Sequence, residues 1–316
     1  MTALDDSAFD LVVVGRTRGA TDVDIIELAA PDRALGRWIP GAHIDVILPD
    51  GDARQYSLCG DPGADTWKIG VLREPNGRGG SMWIHEALTV GATVRVAGPR
   101  NHFEFAAERG TRYLFIAGGI GITPISAMVA SAAAAGVDYR LEYTGRSRST
   151  MAFVTELTEQ HPGRVSVYAA DEGDRLDLTA LFADLPPFTT TYCCGPARLI
   201  EAVERAAVGR QLKVERFEPK ELGAPVRSDA FEVELAFSGL ELAVPPDRSI
   251  LDVVEEAGVL VLSSCREGTC GTCETRVMEG VVDHRDSILT PDEQAANDVM
   301  YICVSRSAGP RLTLEL

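Results

Sequence analysis

The stretch SSCREGTCGTC, residues 263–273, puts three cysteines into nine residues, and a fourth follows thirty positions later. Cys265, Cys270, Cys273 and Cys303 are spaced C-x4-C-x2-C-x29-C, the plant-type ligand spacing for a 2Fe–2S cluster. Each iron takes two thiolates beside two bridging sulfides. Three ligands on one tight loop and one from a distant element complete that set. Gly268 and Gly271 leave room for backbone N–H groups to approach the sulfurs, and such hydrogen bonds help to set the potential. The alternatives are a zinc site or buried packing cysteines. Zinc knuckles favour two paired C-x2-C or Cys/His units, and this chain offers one such pair.

Outward from that loop, FEVELAFSGLELAVP (231–245) reads as a hairpin turning at Ser238-Gly239. Ser249 caps a short helix that ends at Gly258. Thr290-Pro291 signals another, as a cap followed by a first-turn proline. The whole segment 229–316 resembles a plant-type ferredoxin domain. Before it, EPKELGAPVRSDA (218–230) has the charged, Pro- and Gly-containing composition of a linker.

With 316 residues the chain suggests about two domains, or three small ones. Of its seven cysteines, Cys59, Cys193 and Cys194 remain once four are assigned to iron. That is no secreted disulfide framework, so a reducing cytoplasm is expected. The start, MTALDDSAFD, is acidic and lacks the pattern of a signal peptide. Residues 113–137 carry no charge over a length that could span a bilayer. The glycines and Thr-Pro in their middle divide them into strand, loop and helix, so a buried α/β unit is expected and no membrane span.

The net charge of −17 argues against nucleic acid as a partner. Residues 229–316 hold 17 acidic and 6 basic side chains, against 30 and 24 in residues 1–228. The acid excess thus gathers on the expected electron carrier. It serves solubility, or steers the carrier toward a basic partner surface.

Residues 9–105 alternate apolar and polar over short runs separated by Gly, Pro and Asp, which suggests a small antiparallel barrel or sandwich. A short helix is expected over Met82–Leu88. From about residue 112, strands and helices alternate, the pattern of an open, mostly parallel sheet. Its strands are YLFIAG, YRLEYT, RVSVYAA and TTTYCCG, with helices from Pro124, over Ala152–Glu159 and over Ala197–Ala207.

Three strings in these regions carry chemistry. RQYSLCG (54–60) offers a cation, an aromatic face and a hydroxyl within four residues. GRGGS (77–81) precedes the expected helix, where glycines and the helix dipole suit a phosphate. In AGGIGITPI (117–125), Thr123 is a good cap and Pro124 a good first helical residue. Gly118, Gly119 and Gly121 there allow a pyrophosphate to approach the backbone. Taken singly, each string also reads as an ordinary strand or glycine turn.

In this order, with GPRNHFEF at 98–105, the strings resemble the phthalate dioxygenase reductase and vanillate demethylase reductase family, within the ferredoxin–NADP reductase superfamily. The resemblance runs the length of the chain. It implies an antiparallel β-barrel flavin domain over 1–107 and an α/β open parallel-sheet nicotinamide domain over 108–218. A linker over 219–230 and an α+β β-grasp ferredoxin domain over 231–316 complete it. It implies FMN rather than FAD. Tyr56 and Ser57 would contact the isoalloxazine and Arg54 the phosphate. Val71, Leu72 and Arg73 would pass the ring edge, Gly79, Gly80 and Ser81 would cradle the phosphate, and Thr123 would reach toward the flavin. Phe217, in RFEP, would cover it.

By the same resemblance, the nicotinamide nucleotide would lie on Gly118, Gly119, Gly121, Thr123 and Pro124, with Thr144, Arg146 and Ser147 at the adenosine ribose. Cys194, Gly195 and Pro196 would lie near the hydride path. Ser57 and Cys194 are the candidate catalytic residues, Cys194 positioning the nicotinamide rather than acting as a nucleophile. Cys59 and Cys193 read as packing residues, and His43 and His102 have no assigned role. Arg146 and Arg148 are chemically suited to a 2′-phosphate, whereas the resemblance implies NADH, which is the expectation.

The expected function is a single-chain reductase. Electrons pass from NADH through FMN to the 2Fe–2S cluster, near about −400 mV for plant-type centres, and on to a terminal Rieske-type non-haem iron oxygenase, of the aromatic acid dioxygenase or O-demethylase type. A reductase serving a haem-thiolate monooxygenase, a redox-sensing subunit that does not turn over, and a simple flavin reductase are the alternatives. A monomer is expected from the resemblance.

Overall fold

The computed structural model describes residues 8–316. The acidic start read above lies largely outside them. The chain divides into two compact units, one of Ala8–Asp50 and Arg54–Phe217, the other built on Glu218–Leu316.

The first unit opens with β1 (Phe9–Ala20), β2 (Val23–Ala29), β3 (His43–Ile47), β4 (Ala53–Ser57), β5 (Trp67–Leu72), α1 (Gly80–Ala87) and β6 (Thr93–Arg100). The six strands form one sheet in the order β4-β3-β6-β1-β2-β5. Its two edges meet at the antiparallel bridge Leu58–Ile69 just past β4. Alternation puts Leu11, Ile26, Leu28, Ile44, Val46 and Ile69 in one core. Burying such side chains is the chief drive to close the sheet.

There follow β7 (Arg112–Gly118), α2 (Ile122–Ala135), β8 (Asp138–Gly145), α3 (Val154–Gln160), β9 (Val165–Ala169), α4 (Leu178–Ala183), β10 (Thr189–Cys194), α5 (Ala197–Ala206) and β11 (Gln211–Glu215). Their five strands are all parallel, in the order β11-β10-β7-β8-β9. The unbroken apolar run of β7 serves both faces, as strands buried on both sides require. Tyr113, Phe115 and Ala117 pack with Ile122, Ile125 and Met128 of α2. Leu114 and Ile116 face Leu181, Phe182, Ile200 and Val203 from α4 and α5. The uncharged stretch 113–137 is thus a buried strand followed by a helix buried on its inner face. No helix among the described residues is long and apolar enough to cross a membrane.

Three expected helix starts shift, that of α3 from Ala152 to Val154. Helix α1 begins at Gly80, two residues before Met82, with Gly79 in the left-handed conformation at φ 81° as its cap. Thr123 is not the cap of α2. A 3₁₀ turn over Gly119–Gly121 runs straight into the helix, the Ile122 N–H bonds back to Gly119, and Gly121 occupies the cap position. Thr123 and Pro124 lie inside the first turn, and the Thr123 hydroxyl donates to the Ile120 carbonyl at 2.9 Å. With Gly121 in the cap position, the Thr123 side chain bonds backward instead of capping. Elements α4 and β11 were not read from the sequence.

The second unit holds β12 (Phe231–Leu235), β13 (Leu240–Val244), α6 (Ile250–Glu256), β14 (Glu274–Glu279), β15 (Val282–Asp283), α7 (Pro291–Ala296), β16 (Val299–Tyr301), β17 (Arg306–Ser307) and β18 (Arg311–Leu314). A mixed sheet runs β13-β12-β18-β14-β16, with β12 and β18 parallel. Ser249 and Asp252 form a capping box on α6, and Thr290 and Glu293 another on α7 with Pro291 in its first turn. Each such cap is worth about 1 kcal/mol. Helix α6 ends at Glu256, slightly short of the expected Gly258, which carries φ 83° just beyond. The core gathers Val233, Leu235, Ile250, Val254, Met300 and Leu314. The segment before β12 is laid on this unit. Its Lys220 N–H donates to Ser287 Oγ at 2.9 Å, its Val226 N–H to Asp283 Oδ2 at 3.0 Å, and its Gly223 carbonyl accepts from Arg285 at 2.8 Å.

Candidate functional site

In the second unit the cysteine loop lies between α6 and β14. Arg266, Gly268 and Gly271 all take positive φ, at 57°, 70° and 76°, which winds the chain tightly around the sulfurs. Gly268 is also required sterically, because a Cβ there would sit 2.6 Å from Val304 Cγ2. The fourth cysteine arrives through strand pairing. Strand β14 runs antiparallel to β16 with Glu274 opposite Tyr301, so Cys273 and Cys303, just beyond each, meet at the same end.

All four cysteines are buried. The N–H groups of Glu267 and Thr269 donate to Cys265 Sγ at 3.3 and 3.5 Å, and that of Cys265 to Cys270 Sγ at 3.4 Å. The Thr272 hydroxyl lies 3.2 Å from Cys270 Sγ. Thiol hydrogen bonds link Cys265 to Cys270 and to Cys303, and Cys273 to Cys303. They hold Cys265 and Cys273 below the usual thiol range and push Cys270 and Cys303 above it. Among the described residues no group of three His, Cys, Asp or Glu side chains has the arrangement that a single metal ion takes. Four buried sulfurs on one loop and its neighbour, with amides aimed at them, fit a cluster that asks two thiolates of each iron.

In the first unit, β4 and the approach to α1 meet. The Arg54 guanidinium donates to the Arg78 carbonyl at 3.3 Å. A Cβ on Gly80 would lie 2.6 Å from Arg54 Cγ, so only glycine lets the arginine cross here. Gly79 is exposed with nothing within 4 Å of a Cβ position, and the Ser81 hydroxyl accepts from the Glu74 N–H at 3.0 Å. A cation, an open glycine and a helix start at one place suit a phosphate. Burial pushes the Tyr56 phenol up, against the pull of Arg54 and Arg78. On β5, Val71 is buried and Leu72 half-buried, Arg73 just past it is exposed, and the Val71 carbonyl lies 3.0 Å from His85 Nε2 of α1. Gly70 is in close contact with Thr123, since a Cβ there would be 2.7 Å from Thr123 Cγ2.

The glycine loop after β7 packs on the end of β10. A Cβ on Gly121 would fall 2.4 Å from the Cys194 carbonyl oxygen, and one on Gly118 would fall 2.6 Å from Leu199 and 2.8 Å from Pro196. Gly121 therefore seats backbone against backbone, and Gly118 lies under the side chains of Leu199 and Pro196. Gly119 alone, at φ 53°, faces open space, and its carbonyl accepts from the Tyr143 hydroxyl at 3.1 Å.

Ser57, Cys194 and Glu215 converge. Parallel pairing of β10 and β11 sets Cys194 beside Glu215. Glu215 Oε2 lies 3.4 Å from Ser57 Oγ and 3.8 Å from Cys194 Sγ, both of which donate to it. Burial, the largest influence, pushes the Glu215 carboxyl up to about 8 against the two donors. Burial and then Glu215 push the Cys194 thiol well above its usual range, so it stays protonated. Glu215 was missed in the sequence. Its one signal is its place two residues before Phe217, a residue 43 % exposed just past the end of the same strand. Thr144, Arg146 and Ser147 lie apart from this convergence, at the end of β8.

Residues 233–308 match the model of the 2Fe-2S iron-sulfur cluster binding domain. The chain is 45 % identical over 304 residues to phenoxybenzoate dioxygenase subunit beta of Ectopseudomonas oleovorans, covering 94 % of each chain. It superposes on phthalate dioxygenase reductase with a TM-score of 0.71 and 34 % identity over the whole of both chains. An intact type IV self-sufficient cytochrome P450 monooxygenase matches with a TM-score of 0.91 and 44 % identity. There 98 % of this chain is covered but only 41 % of the other, so the chain spans less than half of that protein. On this similarity along its full length, the chain belongs to the oxidoreductase family of phthalate dioxygenase reductase and vanillate O-demethylase oxidoreductase.

Proposed function

We propose that the chain is an NADH-dependent electron-transfer reductase that uses FMN and a 2Fe–2S cluster to supply a terminal Rieske-type oxygenase. The observation that carries this reading is the buried four-sulfur loop in a chain that is similar throughout to phthalate dioxygenase reductase, a modular structure for electron transfer from pyridine nucleotides to a 2Fe–2S centre. In our reading the six-stranded sheet is the flavin barrel, the parallel sheet the nicotinamide domain and the mixed sheet a β-grasp ferredoxin. The divisions fall near residues 107, 218 and 230. We take the protein to be a cytoplasmic monomer.

When bound, the flavin would accept a hydride from the nicotinamide and release electrons singly, and the cluster would carry them one at a time. The chain supplies the setting. Arg54, Gly79, Gly80 and Ser81 would hold the flavin phosphate, while Tyr56, Ser57, Val71, Leu72 and Arg73 would line the ring and Phe217 would cover it. Gly119, Thr123, Pro124, Gly195 and Pro196 would shape the nicotinamide path, with Gly118 and Gly121 fixing its backbone. Cys194 would position the nicotinamide as a protonated thiol. Glu215, held between Ser57 and Cys194, can hold or give up a proton near neutral pH. Cys265, Cys270, Cys273 and Cys303 would ligate the cluster.

The similarity to the self-sufficient P450 favours a second reading, a reductase serving a haem-thiolate monooxygenase. Anaerobic titration with NADH, followed by visible absorption and low-temperature electron paramagnetic resonance, tests the shared part of both. Flavin bleaching with a rhombic reduced-cluster signal is expected. Bound flavin and iron that neither NADH nor NADPH reduces would overturn the reductase reading in favour of a redox sensor. Comparing a purified Rieske oxygenase with a P450 as acceptor separates the two readings.

A further inference from the structure

We propose that Glu172 sets nucleotide choice, by withholding Arg148 from the 2′-phosphate of NADPH. The proposal rests on the nicotinamide reading above. Strands β8 and β9 are parallel neighbours, with Gly145 opposite Ala169. The loops that follow them, Arg146–Thr150 and Ala170–Glu172, therefore leave the same edge of the sheet. In open α/β sheets the adenosine ribose lies outside that edge, and an arginine there accepts a 2′-phosphate.

The two loops are fastened together. The Asp171 N–H donates to the Arg146 carbonyl at 3.1 Å. Ser147 and Thr150 close a capping box around the turn between them, and the Ser149 carbonyl accepts from the Thr21 N–H at 2.7 Å. On this frame Arg148 Nε lies 2.9 Å from each carboxylate oxygen of Glu172. Arg146 is exposed, and no hydrogen bond or ion pair of its side chain is found among the described residues.

Of two arginines at the ribose edge, one is thus free and the other is held by a carboxylate. A 2′-phosphate arriving there would meet Arg146, but to recruit Arg148 it must break the pair and leave Glu172 unpaired beside a dianion. NADH carries no such charge and meets no such penalty. This is discrimination by a repulsive element against the wrong ligand rather than by a contact to the right one. It reconciles the arginine-rich string TGRSRST, which by itself favours NADPH, with use of NADH. The pair is solvent-exposed on both sides, so the effect is modest, about fivefold, the size of an exposed ion pair.

The test uses the full chain loaded with flavin and cluster, with cytochrome c reduction driven by NADH or NADPH. Compared with wild type are Glu172→Gln, Glu172→Asp and the double variant Glu172→Gln/Arg148→Gln. The ratio of kcat/KM for NADPH to that for NADH should rise about fivefold in Glu172→Gln, carried by the KM for NADPH. Glu172→Asp should keep the wild-type ratio, and the double variant should lose the gain because Arg148 provides it. A ratio unmoved by Glu172→Gln, or a gain that survives loss of Arg148, would overturn the inference while NADH reduction of the wild type leaves the nicotinamide reading standing. Wild-type protein reduced by neither nucleotide would overturn both.

Discussion

The two units assemble their sites in opposite ways. In the second, three of four sulfurs sit on nine consecutive residues and one strand pair brings the last. In the first, Ser57, Cys194 and Glu215 come from three strands, and the longest of their contacts spans 158 positions. A local loop declares its chemistry by spacing. A convergent site declares it only once strand order and register are known. Charge follows a similar division, since the acid excess is densest in the segment that carries the cysteines.

The largest expected effect comes from breaking the local site. Cys270→Ser removes one of the four sulfurs together with its contacts to Cys265 and Thr272. NADH-driven cytochrome c reduction should fall to background, while ferricyanide reduction should persist if the first unit alone carries it. If cytochrome c reduction survives, the cysteine loop is not on the electron route, and the difference drawn between the units loses its functional meaning.

A smaller effect is expected where the convergent site is seated. Gly121→Ala drives a methyl group to 2.4 Å from the Cys194 carbonyl, and two backbone segments cannot both keep their places. Overpacking of this kind costs about 1–3 kcal/mol, and borne by the geometry that receives NADH it should lower kcat/KM by about fivefold to 150-fold. Gly119→Ala, where no atom crowds a Cβ but φ is 53°, should cost less, through backbone strain alone. Equal losses in both variants would mean that the glycines serve a ligand and not the seating of the loop on β10.

These glycines show what the sequence can tell. The strand–glycine–helix order of 113–135 was legible, because an uncharged apolar run broken by glycines has few other folds. The reason for the glycines was not. Close approach to a pyrophosphate and close approach to Cys194 ask the same residue of the chain, and only the packing of β10 on the loop separates them. Thr123 misled for a related reason. It has the chemistry of a cap, but the preceding 3₁₀ turn starts the helix at Ile122, with Gly121 in the cap position, so Thr123 already lies inside the first turn. That the four cysteines gather was legible because three lie on one local loop, whereas the strands β14 and β16 whose pairing brings Cys303 to it were not read from the sequence.

Glu215 lay beyond reach because nothing in KVERFEP distinguishes a carboxylate that faces solvent from one set beside Cys194 by the parallel register of β10 and β11. That register makes a pH prediction. The carboxyl titrates at about 8 in the folded chain against 4.5 for an ordinary glutamate, chiefly because it is buried. A raised carboxyl pKa means that the folded state binds the proton more tightly than the unfolded one. The resulting stability is fully present below about pH 4.5 and is lost as the pH rises through about 8, with a few kcal/mol at stake. Glu215→Gln keeps an oxygen for Ser57 and Cys194 but has no proton to lose. Relative to the variant, wild type should therefore be more stable at pH 5.5 than at pH 8.5, read as the difference between their unfolding midpoints at each pH. Parallel pH profiles would mean that the carboxylate is solvated, and the convergence of the three strands would then lack the desolvation that sets it apart from an open surface.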